Sequence, residues 1–243
     1  MSNLKIGIVV ADVDEYKPLA EAIEKGKFNN YAFLGRKGHK FEIATEQGSA
    51  QVISILCGIG KVNATAATMH LVDIGCKVII NYGLSGGISG ICRGELCLCN
   101  RFVEHDFDLT GIGYKPCEKP AQQYIYDGDS NLIEMFGKLL PSVKIGTAVS
   151  GDRFVCDEEL RTTLKEEFNA MSCDMETAAI AYVCSFADVP FACLRRISDD
   201  AGADAVASYT EMNTSDDTLI SDYVIEFIKT LINSQFCGRV YEK

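Results

Sequence analysis

Short apolar runs alternate with amphipathic stretches along most of the chain. Leu4–Ala11 (LKIGIVVA) is a β-branched run suited to a buried strand. An acidic segment follows, and Leu19, Ala20 and Ile23 then recur at helical spacing, predicting a helix over Tyr16–Ile23. Phe41–Thr45 and Gln51–Cys57 read as two further strands. Gly58-Ile59-Gly60 turns the chain into a small-residue helix over Lys61–Ile74. Lys77–Tyr82 (KVIINY) is another buried strand, and the glycine-rich Gly83–Gly87 reads as the turn that ends it. Glu95–Glu104 alternates as a strand, with Cys97 and Cys99 on one face. Residues 105–128 hold most of the glycine and proline punctuation and read as a long loop, a class that is usually functional or mobile. Downstream, helices are predicted over Ser130–Leu140, Asp157–Phe168, Met175–Phe186 and Thr214–Ile232, with strands at Val143–Ser150 and Phe191–Ile197. Strands interleaved with helices predict a three-layer α/β fold with a central, mostly parallel, twisted sheet. No repeat, low-complexity tract or linker divides residues 1–243, so one domain is expected.

Composition narrows the function classes. At 243 residues the chain is long enough to bury a substantial core. The net charge of −11 argues against nonspecific binding to nucleic acid or to an anionic membrane, both of which need clustered Lys and Arg. No uninterrupted apolar stretch is long enough to cross a bilayer. The 11 cysteines are scattered without a C-x-x-C pair, and His39, His70 and His105 lie far apart, so no metal site is expected. Cysteines inside apolar runs, such as Cys57 and Cys193, behave as small core residues, and a reducing cytosol is the expected home.

Candidate chemistry comes from acidic clusters that follow apolar runs: Asp14-Glu15, Asp174-Met175-Glu176 and Ser198-Asp199-Asp200. In open α/β sheets the carboxyl ends of strands are where ligands bind. Carboxylates gathered there suit acid–base chemistry on a sugar-like substrate. Each acid also has a plain alternative: Asp174 as an N-cap, Glu176 as a first-turn acid, Asp199 or Asp200 as a turn cap. Neither Gly58-Ile59-Gly60-Lys61 nor Gly83–Gly87 has the spacing of a P-loop or a dinucleotide fingerprint.

KIGIVVADVDE (Lys5–Glu15), NYGLSGG (Asn81–Gly87), HDFDLTGIGY (His105–Tyr114), GIGKVNA (Gly58–Ala64), SGDRFV (Ser150–Val155), DMETAAIA (Asp174–Ala181) and RRISD (Arg195–Asp199) change that balance. In order and spacing they resemble the 5′-methylthioadenosine/S-adenosylhomocysteine nucleosidases of the nucleoside phosphorylase superfamily. The resemblance implies hydrolysis of the N-glycosidic bond of 5′-substituted adenosines, with no cofactor and no metal. Asp199 matches the acid that protonates the leaving adenine, Glu15 the residue that activates water, and Glu176 the carboxylate that holds the ribose hydroxyls. Met175 packs on the sugar, Ser198 positions Asp199, Phe154 and Val155 hold adenine, and Arg195 orders the acids, all by resemblance. Ile59 and Tyr209 match the lining of the 5′ pocket, while Leu109, Ile112, Tyr114 and Pro120 match residues donated by a neighbouring subunit, implying a homodimer. Ala201–Ser208 reads as a lid or as an ordinary connection.

Three positions depart from the family pattern. The usual Gly-Ser-Ala-Gly-Gly is Gly83-Leu84-Ser85-Gly86-Gly87, Asp12 stands where an apolar residue usually lines the 5′ pocket, and Arg153 where the residue is usually small. The alternatives to a nucleosidase are a phosphate-dependent phosphorylase and a nucleoside-binding protein without turnover.

Overall fold

The computed structural model describes residues 4–213 and 218–236. In chain order the elements are β1 (Leu4–Val10), α1 (Val13–Glu24), β2 (Phe28–Phe33), β3 (Arg36–Thr45), β4 (Gly48–Leu56), α2 (Lys61–Asp73), β5 (Val78–Gly87) and β6 (Leu96–Glu104). After a 3₁₀ turn at Thr110–Ile112 come β7 (Ile125–Asp127), α3 (Ser130–Leu139), β8 (Lys144–Ser150), α4 (Glu158–Phe168), β9 (Ala170–Asp174), α5 (Thr177–Ala187), β10 (Phe191–Asp199), α6 (Ala205–Asn213) and α7 (Leu219–Asn233).

The strands form one sheet in the order β10-β6-β8-β9-β5-β1-β4-β3-β2, with β7 beside β6, and β10 also pairs with β5. That extra pairing closes β5, β10, β6, β8 and β9 into a ring, from which β1, β4, β3 and β2 extend as an open wing. Parallel pairs join β4, β1, β5 and β10, and antiparallel hairpins complete the wing. Alternation along β1 decides the layers: Ile6, Ile8 and Val10 join the core beneath α1, α3 and α7. Val9 points the other way, toward α2 and α5. Gly7 marks where α2 comes closest, since a Cβ there would lie 2.7 Å from Ile79 Cδ1 and 2.9 Å from Leu71 Cδ1.

Several expectations change. Residues 105–128 are not all loop, because Tyr126 pairs with Phe102 in a three-residue strand too short to show alternation. Strand β2 was hidden by Asn29 and Asn30 on an edge open to water, and β9 by its shortness. Strand β3 begins at Arg36, before its apolar part. Gly83–Gly87 is no turn but the continuation of β5, paired with β10 and β9. The second half of Ala201–Ser208, read as a lid or connection, opens a helix that runs over Ala205–Asn213. The expected start of the last helix at Thr214 lies outside the described residues, as does Cys237. No helix among the described residues is long and apolar enough to cross a membrane.

Candidate active site

The ring of strands gathers the acidic clusters at one end. Parallel register sets Gly86 of β5 beside Asp199 of β10, and Ser150 of β8 beside Asp174 of β9. Glu15 arrives from the first turn of α1, where an acid is favoured by the helix dipole. A cleft of about 340 Å³ opens between these ends, within the size range of small-molecule sites. Glu15, Glu176 and Asp199 all line it.

Glu176 is held by a glycine the sequence marked only as a turn. Gly60, at φ +101°, directs its amide to Glu176 Oε1 at 2.8 Å, a backbone conformation an L side chain rarely adopts. Burial and the neighbouring Asp174 push the Glu176 carboxyl up to about 7, against the pull of Arg195. Glu15 is also pushed up to about 7, by burial first, while Arg195 and the Leu84 amide act against it. That amide reaches Glu15 Oε1 at 2.6 Å.

Arg195 is the counter-charge between them. It is 1% exposed, lies 3.3 Å from Asp174 Oδ2 and 4.0 Å from Glu176 Oε2, and donates to Asn81 Oδ1 at 2.7 Å and Thr177 Oγ1 at 2.5 Å. Burial opposes ionisation of Asp174, but Arg195, Ser150 and Thr177 together outweigh it and hold this carboxyl below its usual range. Asp174 Oδ1 also accepts from the amides of Glu176 and Thr177, at 3.0 and 2.9 Å. The N-cap of α5 is Glu176 and not Asp174, which lies two residues before it and accepts from the amides entering the helix, so the capping and first-turn readings give way to a turn that aims Glu176.

Asp199 sits at the other side of this arrangement, 2% exposed. Ser198 donates its hydroxyl to Oδ2 at 2.6 Å, and the Ala201 amide donates to Oδ1 at 2.9 Å. Burial raises its pKa despite these bonds. The shift is in the direction a proton donor needs.

The remaining expected residues divide by place. Met175, Phe154, Val155, Ser198, Ile59, Tyr209 and Asp12 line the cleft, and so do the departures Leu84 and Arg153. Phe154 and Tyr209 meet edge to face at 5.5 Å. Asp12 is the N-cap of α1, its Oδ1 accepting from the Asp14 amide at 2.8 Å. Arg195 lies behind the cleft wall rather than on it. Leu109, Ile112, Tyr114 and Pro120 do not line the cleft of their own chain, and Ile112 is 73% exposed. Ser85, the displaced hydroxyl, lines the cleft too, as do Cys173 and Ala11, and Asn81 and Thr177 support Arg195, roles not singled out from the sequence. Asn81 and Thr177 stand inside the quoted NYGLSGG and DMETAAIA segments, which was the available signal. Among the described residues no group of three or more His, Cys, Asp or Glu is arranged to hold a metal ion.

The model of the phosphorylase superfamily matches residues 5–233. The chain is 34% identical over 216 residues to the 5′-methylthioadenosine/S-adenosylhomocysteine nucleosidase of Shewanella pealeana, covering 86% of this chain and 91% of that one. It is 27% identical over 239 residues to the aminodeoxyfutalosine nucleosidase of Campylobacter jejuni, covering 94% and 100%. Its structure is similar to the crystal structure of 5′-methylthioadenosine/S-adenosylhomocysteine nucleosidase from Helicobacter pylori with butyl-thio-DADMe-Immucillin-A, at a TM-score of 0.86 and 26% identity over 96% of this chain and 100% of that one.

Proposed function

This chain belongs to the phosphorylase superfamily, in its 5′-methylthioadenosine/S-adenosylhomocysteine nucleosidase family, and from that premise we propose how its cleft works. The protein is an N-glycosidic hydrolase that converts 5′-substituted adenosines into adenine and a 5′-substituted ribose. The observation that carries the reading is the meeting of Glu15, Glu176 and Asp199 in one cleft, with Glu15 poised at about 7, Asp199 raised by burial, and Arg195 favouring the charged form of Glu176.

Asp199 donates a proton to N7 of the leaving adenine, so the base departs neutral. Glu15, poised at about 7, accepts the proton of the attacking water. Glu176 holds the ribose hydroxyls and faces the positive charge that develops on the sugar, a preorganised electrostatic contribution. Met175 packs on the ribose, Phe154 and Val155 hold adenine, and Ile59, Tyr209 and Asp12 face the 5′ substituent. Ser198 and Arg195 act through the acids: one hydrogen-bonds Asp199, the other balances Glu15 and Glu176.

A phosphorylase would need an anion site beside the ribose. A helix N-terminus is the ready-made place for one. Here the N-terminus of α1 is capped by the carboxylate of Asp12 and followed by Asp14 and Glu15. That local charge favours neutral water over phosphate. Leu109, Ile112, Tyr114 and Pro120 complete the 5′ pocket of a second copy in a homodimer; the exposed Ile112 supports this, as do Val62 and Met69, exposed on α2. The free cysteines among the described residues support a reducing cytosol, where release of adenine from methylthioadenosine serves methionine salvage.

Incubation with methylthioadenosine, with and without phosphate, tests the assignment. Adenine and free methylthioribose in both reactions are expected. A sugar phosphate formed only with phosphate identifies a phosphorylase, and binding without products identifies a nucleoside-binding protein.

A further inference from the structure

Helix α6 carries Tyr209 to the cleft, yet little apolar surface holds it down. Ala205 is its buried residue, while Val206 is 57% exposed. Segments with so little apolar burial sit at the low-stability end of a fold. Polar contacts therefore weigh heavily in where α6 lies, and two of them reach the elements that bear the acids. At its C-terminal end, Asn213 Nδ2 donates to Asp12 Oδ1 at 3.2 Å, at the start of the helix that bears Glu15.

The other contact is Arg93, in the turn between β5 and β6 and outside the cleft lining. Its Nη2 donates to the Ser208 carbonyl at 3.2 Å and to Glu211 Oε2 at 2.9 Å, both on α6. Its Nε donates to the Ser198 carbonyl on β10 at 2.9 Å. Ser208 immediately precedes Tyr209, and Ser198 immediately precedes Asp199. The planar guanidinium fixes these directions relative to one another, which a flexible ammonium does not.

We propose that Arg93 is a positioning residue for the hydrolysis, coupling the seating of α6 and Tyr209 to the orientation of Asp199. The proposal rests on the role of Asp199 as leaving-group acid. With α6 seated, one guanidinium bonds both elements and holds the Ser198 peptide, and so the hydroxyl that meets Asp199 Oδ2. When α6 lifts, Arg93 loses Ser208 and Glu211, and the strand end loses its brace. The arrangement keeps the acid aligned when the cleft is covered.

Charge gives the coupling a readout of its own. The groups facing Asp199 are Asp200 in the following turn, Cys173 on β9, and Arg93; Asp200 raises its pKa and Arg93 lowers it. Glu158 of α4 lies beyond them, near Gly202. Removing the Arg93 charge therefore moves the limb of the kcat/KM profile that Asp199 sets to higher pH.

The test uses the full chain with Arg93→Met and Arg93→Lys, both checked for folding by circular dichroism. Arg93→Met is expected to raise KM for methylthioadenosine roughly tenfold, the loss that one charge-assisted hydrogen bond implies. It should also shift the limb set by Asp199 upward and speed hydrogen exchange of the amides of 205–213 without substrate. Arg93→Lys should restore the limb while KM stays raised, because it returns the charge without the fork. A pH profile of kcat/KM with neither limb moved in Arg93→Met, whatever happens to KM, overturns the coupling to Asp199. Unchanged exchange in α6 overturns the brace. If the unaltered chain releases no adenine, the functional reading fails, while the exchange comparison still judges the link to α6.

Discussion

Glu15 is joined to the backbone amide of Leu84 by a hydrogen bond of 2.6 Å to Oε1. The contact is made by the main chain, so it survives the replacement of the family's usual serine by Leu84. What it does require is its neighbour. A Cβ at Gly83 would lie 2.6 Å from Arg195 Nη1 and 2.7 Å from Glu15 Oε2, closer than real atoms approach.

Gly83→Ala is therefore expected to displace Glu15 or Arg195 while the strand still forms. Misplacing a catalytic group by about 1 Å can cost ~10²-fold in rate. Steady-state kinetics with circular dichroism checks this. A folded variant with normal kcat would show that the crowding is relieved elsewhere.

Glu15→Gln should lower kcat at least ~10²-fold, since an amide cannot accept the water's proton. The same change should raise stability in neutral and alkaline solution. Folding lifts this carboxyl from 4.5 to about 7, so the folded state holds the proton more tightly. Its contribution to stability is complete below pH 4.5 and is lost as pH rises through about 7. The variant escapes that loss, so its melting temperature should exceed the unaltered chain's at pH 8 and match it near pH 4. A lower melting temperature at pH 8 would mean that the bond to Leu84 outweighs burial.

Asp199→Asn should abolish adenine release while nucleoside binding persists. The amide can still accept the Ala201 N–H bond but has no acidic proton for the base. A loss of at least ~10²-fold is expected. Calorimetric titration with methylthioadenosine separates binding from turnover, and near-normal turnover removes Asp199 from the mechanism.

Asp12 bears on substrate choice and on stability at once. A carboxylate facing the 5′ substituent penalises an apolar methylthio group and suits the ammonium of a homocysteine tail. Asp12→Asn keeps an N-cap oxygen and removes the charge, so kcat/KM should shift from S-adenosylhomocysteine toward methylthioadenosine. Asp12→Met should shift it the same way and lose about 1 kcal/mol of stability with the cap. Equal substrate ratios in all three proteins would show that the side chain does not act on the 5′ group.

Leu109–Tyr114 gives the association prediction. In the proposed homodimer the same face would cover the neighbouring pocket, so Ile112→Asp should weaken dimerisation and raise KM together. Sedimentation velocity checks it, and a fully active monomer would exclude a shared site.

The sequence by itself determined the buried strands and the acids that end them. β-Branched runs such as Leu4–Val10 have few other ways to be buried; Glu15 and Asp199 follow such runs, and Glu176 stands in the recognisable segment DMETAAIA. Short or edge elements escaped notice: β2, β7 and β9 carry too few apolar positions to reveal a period. Only the tertiary structure decided which groups share a charge. Nothing in local pattern says that Arg195 stands between Glu15 and Glu176, that Gly60 directs its amide to Glu176, or that Arg93 joins α6 to β10. Those relationships span 116 residues from Gly60 to Glu176 and more from Glu15 to Arg195, and exist because the ring of strands brings distant ends together. Burial there moves the carboxyls toward neutrality, an effect of the assembled environment that no residue carries in isolation.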